Sequence, residues 1–227
     1  IRNLNSTEIK NSFIAGDRYG VYVNKDHANS KGITMAISKR SRQNFSGNLD
    51  YTYSISEGNA SDPTAAFYDE QSDIEPEKML VPLDWDQRHT INGTATYQPT
   101  KSSGMSMIFS YGSGFPYTTE NTQGQRTSFE NNGRKPATYN VDLRGFFHFT
   151  VSKAIRMSAH VNVYNVFDFR NELTVFSDTG RSSYSLIPTY TPQFSGPSLN
   201  SLDEYLINPT YFSSPRQIKL GLSLSFN

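Results

Sequence analysis

Residues 45–56 read FSGNLDYTYSIS, and this stretch decides the fold class. Phe, Gly, Leu, Tyr and Ile occupy its odd positions, whereas Ser, Asn, Asp and Thr occupy its even positions. Such an alternation places the odd side chains on one face of an extended chain and the even ones on the other. The stretch is therefore predicted to be a β-strand with one apolar face and one polar face.

The same alternation recurs along most of the chain, which predicts an all-β, antiparallel structure of about eight strands. Convincing helical spacing is not found, and a shorter, weaker strand is predicted at 19–24. In the last predicted strand the apolar residues move to even positions, from Ile218 to Phe226. The alternating segments after the first are 33–37, 91–98, 105–111, 139–149, 155–163 and 218–226.

The predicted connections alternate in length. Short turns are predicted at 40–44, 99–104 and 150–154. Long loops are predicted at 58–87, 114–135 and 168–214, and a short link at 25–27 is the exception on that side. Short turns at one edge and long loops at the other are typical of a transmembrane β-barrel.

Composition narrows the function classes. The chain of 227 residues has 21 basic and 21 acidic residues, so it has no net charge to attract nucleic acid. No apolar run approaches the roughly 18 residues of a spanning helix, which excludes a helical membrane protein. A membrane β-barrel can be as polar as the mean hydropathy of −0.59, because only alternate residues face lipid. The absence of cysteine excludes disulfides, thiolate metal sites and cysteine nucleophiles.

Several motifs resemble one family. Residues 84–92, DWDQRHTIN, resemble the DWDQRHTLN opening of a late strand in TonB-dependent outer-membrane receptors, especially those of Bacteroidota and related bacteria. The other matching segments are YVN at 22–24, KGI at 31–33, SKR at 38–40, SGFPYT at 113–118, VYNVFD at 163–168 and the closing strand at 215–226.

The resemblance implies that residues 1–227 form the C-terminal part of one β-barrel domain, about eight strands of a 22-stranded transmembrane barrel in the outer membrane of a Gram-negative bacterium. Its implied function is active uptake of a ligand such as a metal chelate, cobalamin, an oligosaccharide or a peptide. Implied partners are membrane lipid, the protein's own N-terminal plug and barrel strands, and the TonB–ExbB–ExbD complex. A surface lipoprotein is a candidate partner, and no cofactor is expected.

Candidate site residues divide into two sets. The first consists of polar residues predicted to face the water-filled lumen: Asp142, Arg144, His148, Arg156, His160 and Lys219. Their alternative interpretation is a generic wet wall with internally paired charges. The second consists of loop aromatics that could stack on a ligand: Tyr117, Tyr184 and Tyr190.

The parity of the two strands around 150–154 makes a specific prediction. If Phe149 and Ile155 share a face, opposed residue numbers must sum to an even value. Within two residues, the polar side chains are then predicted to pair as His148 with Arg156, Arg144 with His160, and Asp142 with Asn162.

No catalytic or metal-binding motif is found. The four histidines form no H-E-x-x-H pattern, and no G-x-S-x-G or phosphate-binding loop motif occurs. The acidic residues in 69–77 lack EF-hand spacing. We therefore expect no enzyme, and the rival interpretation as an outer-membrane hydrolase would need an acyl-transfer triad that the sequence does not show. The alternative that stays open is a self-contained eight-stranded barrel with a structural or adhesive role. The small residues of the polar row at 46–56 would not fill an eight-stranded lumen, which favours a wider wall.

Overall fold

A computed structural model describes residues 2–11, 18–40, 44–62, 79–152, 155–187, 204 and 206–226. The chain is mostly antiparallel β-sheet, so the predicted all-β class is confirmed. The long strands are β1 (Arg2–Asn11), β2 (Arg18–Lys39), β3 (Phe45–Gly58), β5 (His89–Thr100), β6 (Ser103–Gly112), β9 (Thr138–Ser152), β10 (Ile155–Tyr164) and β11 (Gln217–Phe226). The short ones are β4 (Val81–Pro82), β7 (Pro116–Tyr117) and β8 (Gly133–Arg134).

The long strands follow one another in space as they do in sequence, in the order β1-β2-β3-β5-β6-β9-β10-β11. Strand β4 pairs with β3, and β7 and β8 form a separate two-stranded sheet. A 3₁₀ helix at Pro209–Tyr211 lies in the last loop, capped by the Asn208 side chain. Within the described ranges, no helix is long and apolar enough to cross a membrane.

The predicted link at 25–27 is wrong. Strand β2 runs without interruption from Arg18 to Lys39, and its first half pairs with β1 while its second half pairs with β3. The ladder between β1 and β2 shifts register between Leu4 and Asn5, which makes Lys25 the extra residue of a β-bulge. Polar residues that suggest a turn in the sequence are thus held extended by a neighbouring strand.

The register places the predicted apolar residues on one face across the sheet. One lateral row, for example, crosses six strands from β3 to β11 and contains only apolar residues and one glycine. It consists of Phe45, Tyr97, Met105, Gly145, Val161 and Leu220. Because Val161 lies opposite both Gly145 and Leu220, the predicted change of parity in the last strand is confirmed.

This apolar face is exposed. Leu220 is 80% exposed, Ile37 72% and Leu222 70%. In the part of the chain that the structure describes, the buried apolar residues are Ala60, Val81, Leu83 and Val141. A β-sandwich would cover such a face with a second sheet about 10 Å away, and the described residues supply no such layer.

The even-sum rule for β9 and β10 is confirmed, but the individual pairs lie two residues from the predicted ones. His148 is opposite Ser158, Arg144 is opposite Asn162, and His160 is opposite Phe146. At the turn, Ile155 is opposite Ser152 but Arg156 is opposite Thr150, so Val151 of β9 is the extra residue of a β-bulge that brings the ladder to even sums. The nominal pairs of His148 with Arg156, Arg144 with His160 and Asp142 with Asn162 are thus displaced by two residues, which is the tolerance of the prediction.

Candidate functional site

The six polar candidates lie on the face opposite the apolar one. Arg144 belongs to a lateral row that is polar over six strands, and Lys219 ends the same row on β11. The row consists of Ser46, Thr96, Ser106, Arg144, Asn162 and Lys219. Because Asn162 separates Arg144 from Lys219, the two cations are held apart by one strand.

The polar face has two different halves. On β2, β3, β5 and β6, hydroxyl groups bond in pairs across the strands, as between Thr34 and Thr52 at 3.1 Å and between Thr96 and Ser106 at 3.1 Å. The charged and aromatic candidates are on β9, β10 and β11. The sheet therefore presents a hydroxyl-rich half, which also contains Asp50 on β3, beside the charged half on β9, β10 and β11.

Asp142 lies at the long-loop end of the charged half. Its Oδ1 accepts hydrogen bonds of 2.9 Å from the Asn140 side chain and from the backbone N–H of Asn165. These residues line a pocket of about 340 Å³ together with Tyr164 and Gln217. The Lys219 ammonium lies 5.1 Å from the centre of the Tyr164 ring, which is a cation–π contact beside this pocket.

His160 is exposed, but its ring lies over a glycine of the neighbouring strand. It lies opposite Phe146 on one side and Gly221 on the other. A side chain at Gly221 would collide with the His160 ring, and one at Gly104 would collide with the Phe146 ring. Both rings therefore lie over glycines of the neighbouring strands, which divides Arg144 from His148 and Arg156. The six candidates do not converge on one cluster.

The strongest polar cluster lies in the motif at 84–92 and was not among the candidate residues. Asp86 is completely buried and accepts hydrogen bonds from the Ser56 backbone N–H at 2.6 Å and from Arg88 Nε at 2.7 Å. Arg134, from the loop between β6 and β9, also donates to the Asp86 carboxylate and to its backbone carbonyl. Leu83 and Val81 are buried beside it. The Asp86 cluster thus fastens two long loops to the end of β3.

The hydrogen bonds and cations around Asp86 explain how its carboxylate can be buried. Burial by itself would raise the pKa of Asp86, but the hydrogen bonds from Ser56, Arg134 and Arg88 outweigh it and hold that pKa below its ordinary value of 3.8. The same carboxylate raises the pKa of Arg88 against the opposite effect of burial. The cluster is therefore ionised across the ordinary pH range.

Lowering the pH is expected to break the ion pairs of the Asp86 cluster. Because folding lowers the pKa of Asp86, its ionised carboxylate stabilises the fold above pH 3.8, and the contribution is lost as the pH falls through the folded-state pKa. Trp85, the single tryptophan, adjoins it and is half exposed. We expect Trp85 fluorescence to change below about pH 3.8 in the wild type and not in Asp86→Asn. The control Asp84→Asn should keep the transition, and an unchanged acid transition in Asp86→Asn would contradict the assignment.

Two further sets of contacts order the loops, one between two loops and one within the last loop. Asn131, which is buried and has a φ of 58°, donates through its side chain to the Pro82 carbonyl at 2.9 Å and to Asp84 at 2.7 Å. In the last loop, buried Glu172 accepts from Arg181 at 2.6 Å and from the Ser182 backbone N–H at 2.7 Å. The long-loop end is therefore a structured surface.

The three tyrosine candidates differ. The Tyr117 ring is packed against Gly133 and Gly180, and burial, with the nearby Asp178 charge, raises its pKa. The Tyr117 ring therefore connects two loops and is less available to a ligand than an exposed ring. Tyr184 is 49% exposed and is available for contact. Tyr190 lies outside the described residues, as do the acidic residues of 69–77.

Comparisons of the chain with protein-family models, curated proteins and solved structures find no match. Among the residues that the structure describes, no group of three or more His, Asp or Glu side chains is arranged to hold a metal ion. The resemblance to TonB-dependent receptors therefore depends on the quoted motifs alone.

Proposed function

We propose that this chain is part of the wall of a transmembrane β-barrel, the C-terminal strands of a TonB-dependent receptor that imports a ligand across the outer membrane. One observation carries the proposal: an apolar face that continues over neighbouring strands and is exposed, backed by a polar face. Leu220, at 80% exposure, is the extreme case. Large exposed apolar surfaces in proteins mark contacts with membranes or partners, and alternate apolar and polar residues are the pattern of a membrane strand.

The sheet edges support a wall of more strands. In the described ranges, β1 and β11 each have one strand neighbour and do not pair with each other. An unpaired strand edge in lipid leaves backbone N–H and C=O groups without partners, at a cost of several kcal/mol for each group. Strand β11 therefore needs a further strand beside it, which favours a larger barrel over a self-contained one of eight strands.

The loops and the polar face would have different roles in transport. The long-loop end, fastened by the Asp86 cluster, would present Tyr184 to a ligand outside the cell. Asp142, Arg144 and Lys219 would face the aqueous lumen or the plug. In this mechanism no bond of the ligand is made or broken, and the energy comes from TonB, ExbB and ExbD acting on the plug.

An uptake assay tests this function. Cells that lack the gene and cells that express the intact protein are given four labelled probes, a ferric chelate, cobalamin, a maltodextrin and a tripeptide. We expect the protein to increase the uptake of one probe at least about tenfold, with the increase lost after a protonophore collapses the inner-membrane proton gradient. Uptake that is the same with and without the gene, or that survives the protonophore, would contradict energy-coupled import of these classes.

A further inference from the structure

A second pocket lies at the opposite end of the charged half, beside the short turns. It measures about 550 Å³ and is lined on three strands and one turn by Lys101, His148, Arg156, Ser158, Ser223 and Ser225. The register explains the grouping, because His148, Ser158 and Ser223 form one lateral row. Arg156 and Ser225 form the adjacent row. The pocket thus combines three basic groups with hydroxyls on the polar face.

No carboxylate lines this pocket. The same is true of the whole short-turn end, where the described stretches 37–40, 44–47, 98–105, 147–152, 155–158 and 222–226 contain no Asp or Glu. The sequence adds Arg42 and Lys153 to the intervening connections, which lie outside the described residues. A chain of zero net charge therefore has one end that is purely basic.

Lys101 and Arg156 of this pocket differ from the three arginines that form ion pairs with buried carboxylates. Arg88 and Arg134 bind Asp86, and Arg181 binds Glu172. Within the described residues, Lys101 and Arg156 form no such ion pair, and the His148 ring lies against the Phe146 ring, at 5.0 Å between centroids. Gathering like charges without a counterion is unfavourable, so an anion bound among them would relieve the repulsion.

We infer that this pocket binds a phosphate group. A guanidinium matches two phosphate oxygens at once, and an ammonium adds a point charge. The hydroxyls of Ser158 and Ser223 can donate to the remaining oxygens. A phosphate ester of a lipid head group and free phosphate share this chemistry. The inference goes beyond transport, since it depends only on the basic end of the sheet.

Binding to two probes distinguishes the sources. The intact protein in a neutral maltoside detergent is titrated by calorimetry with inorganic phosphate and, separately, with short-chain dihexanoyl phosphatidylglycerol. Dihexanoyl phosphatidylcholine, whose head group has no net charge, is the lipid control. We expect Lys101→Gln and Arg156→Gln each to weaken binding at least about tenfold, the effect of removing one charge-assisted hydrogen bond.

A matched variant controls for total charge. Arg216→Gln removes the same charge from an exposed residue just before β11, at the long-loop end, and should leave binding within about twofold of the wild type. Binding of inorganic phosphate assigns the pocket to free phosphate, and binding of the anionic lipid alone assigns it to a head group. The inference is overturned if neither probe binds, or if Arg216→Gln weakens binding as much as Arg156→Gln. Circular dichroism confirms that each variant keeps the strand content of the wild type.

Discussion

Replacing Leu222 by arginine is expected to remove most of the folded protein from the outer membrane. Leu222 is 70% exposed at the middle of β11, and its cross-strand partner is Ala159 on the apolar face. If this face meets hydrocarbon, a charge there costs about 2 to 4 kcal/mol at the bilayer midplane. The fraction of intact protein that is folded in outer-membrane preparations measures the effect, because a folded barrel and its heated form migrate differently on a gel.

The matched control is the next residue. Ser223→Arg introduces the same side chain on the polar face, where the cross-strand partner is Ser158, and should cost no more than about 1 kcal/mol. Since the chain has no cysteine, single cysteines at 222 and 223 can also be spin-labelled. The label at 222 should be accessible to oxygen dissolved in lipid, and the label at 223 to a water-soluble nickel complex. Equal assembly of the two arginine variants together with equal accessibility would rule out a lipid-facing surface.

The strands could be predicted because each exposes its two faces to different surroundings. In residues 45–56 every second side chain is apolar, so the period itself indicates an extended chain and the register follows from which face is shared. The same reasoning predicted the change of parity before β11, because the apolar residues of β10 and β11 must lie on one face. The pairing of Val161 with Leu220 confirms it.

Strand β1 and the middle of β2 could not be predicted in this way. Residues 25–27, KDH, have the composition of a turn, yet they continue β2 because β1 pairs beside them. Strand β1 itself, RNLNSTEIKN, has apolar residues only at Leu4 and Ile9, one even and one odd. Without an alternating pattern, its extended conformation depends on a neighbour that the sequence does not specify.

The Asp86 cluster was missed for a related reason. The motif at 84–92 was apparent, but a carboxylate next to a tryptophan in a predicted loop gives no sign that it is buried. Its burial depends on Arg134, which lies 48 residues further along the chain. For the six polar candidates, by contrast, parity alone predicted that they share the face opposite the apolar one, as the register has them. Their division into two ends by Phe146 and His160 needed the positions of the rings over glycines.

Asp86→Ala should release the two long loops from the sheet. The substitution leaves Arg88 and Arg134 facing each other without a carboxylate and removes the acceptor of the Ser56 backbone N–H. Breaking a buried ion pair by removing one partner costs about 3 to 5 kcal/mol. Because Arg88 and Arg134 keep 27% and 35% of their side-chain surface exposed, we expect about 3 kcal/mol, the lower end of that range.

Hydrogen exchange can show where in the chain this stability is lost. Amides in 81–90 and 113–135 should exchange about a hundredfold faster in Asp86→Ala, the equivalent of roughly 3 kcal/mol, while β10 keeps its protection. Glu57→Gln is the control, since Glu57 meets the same Arg88 at 3.6 Å but is 34% exposed. Exposed pairs contribute at most about 1 kcal/mol, so its loops should exchange nearly as in the wild type. Unchanged loop exchange in Asp86→Ala, or equal acceleration in β10, would show that this carboxylate does not hold the loops to β3.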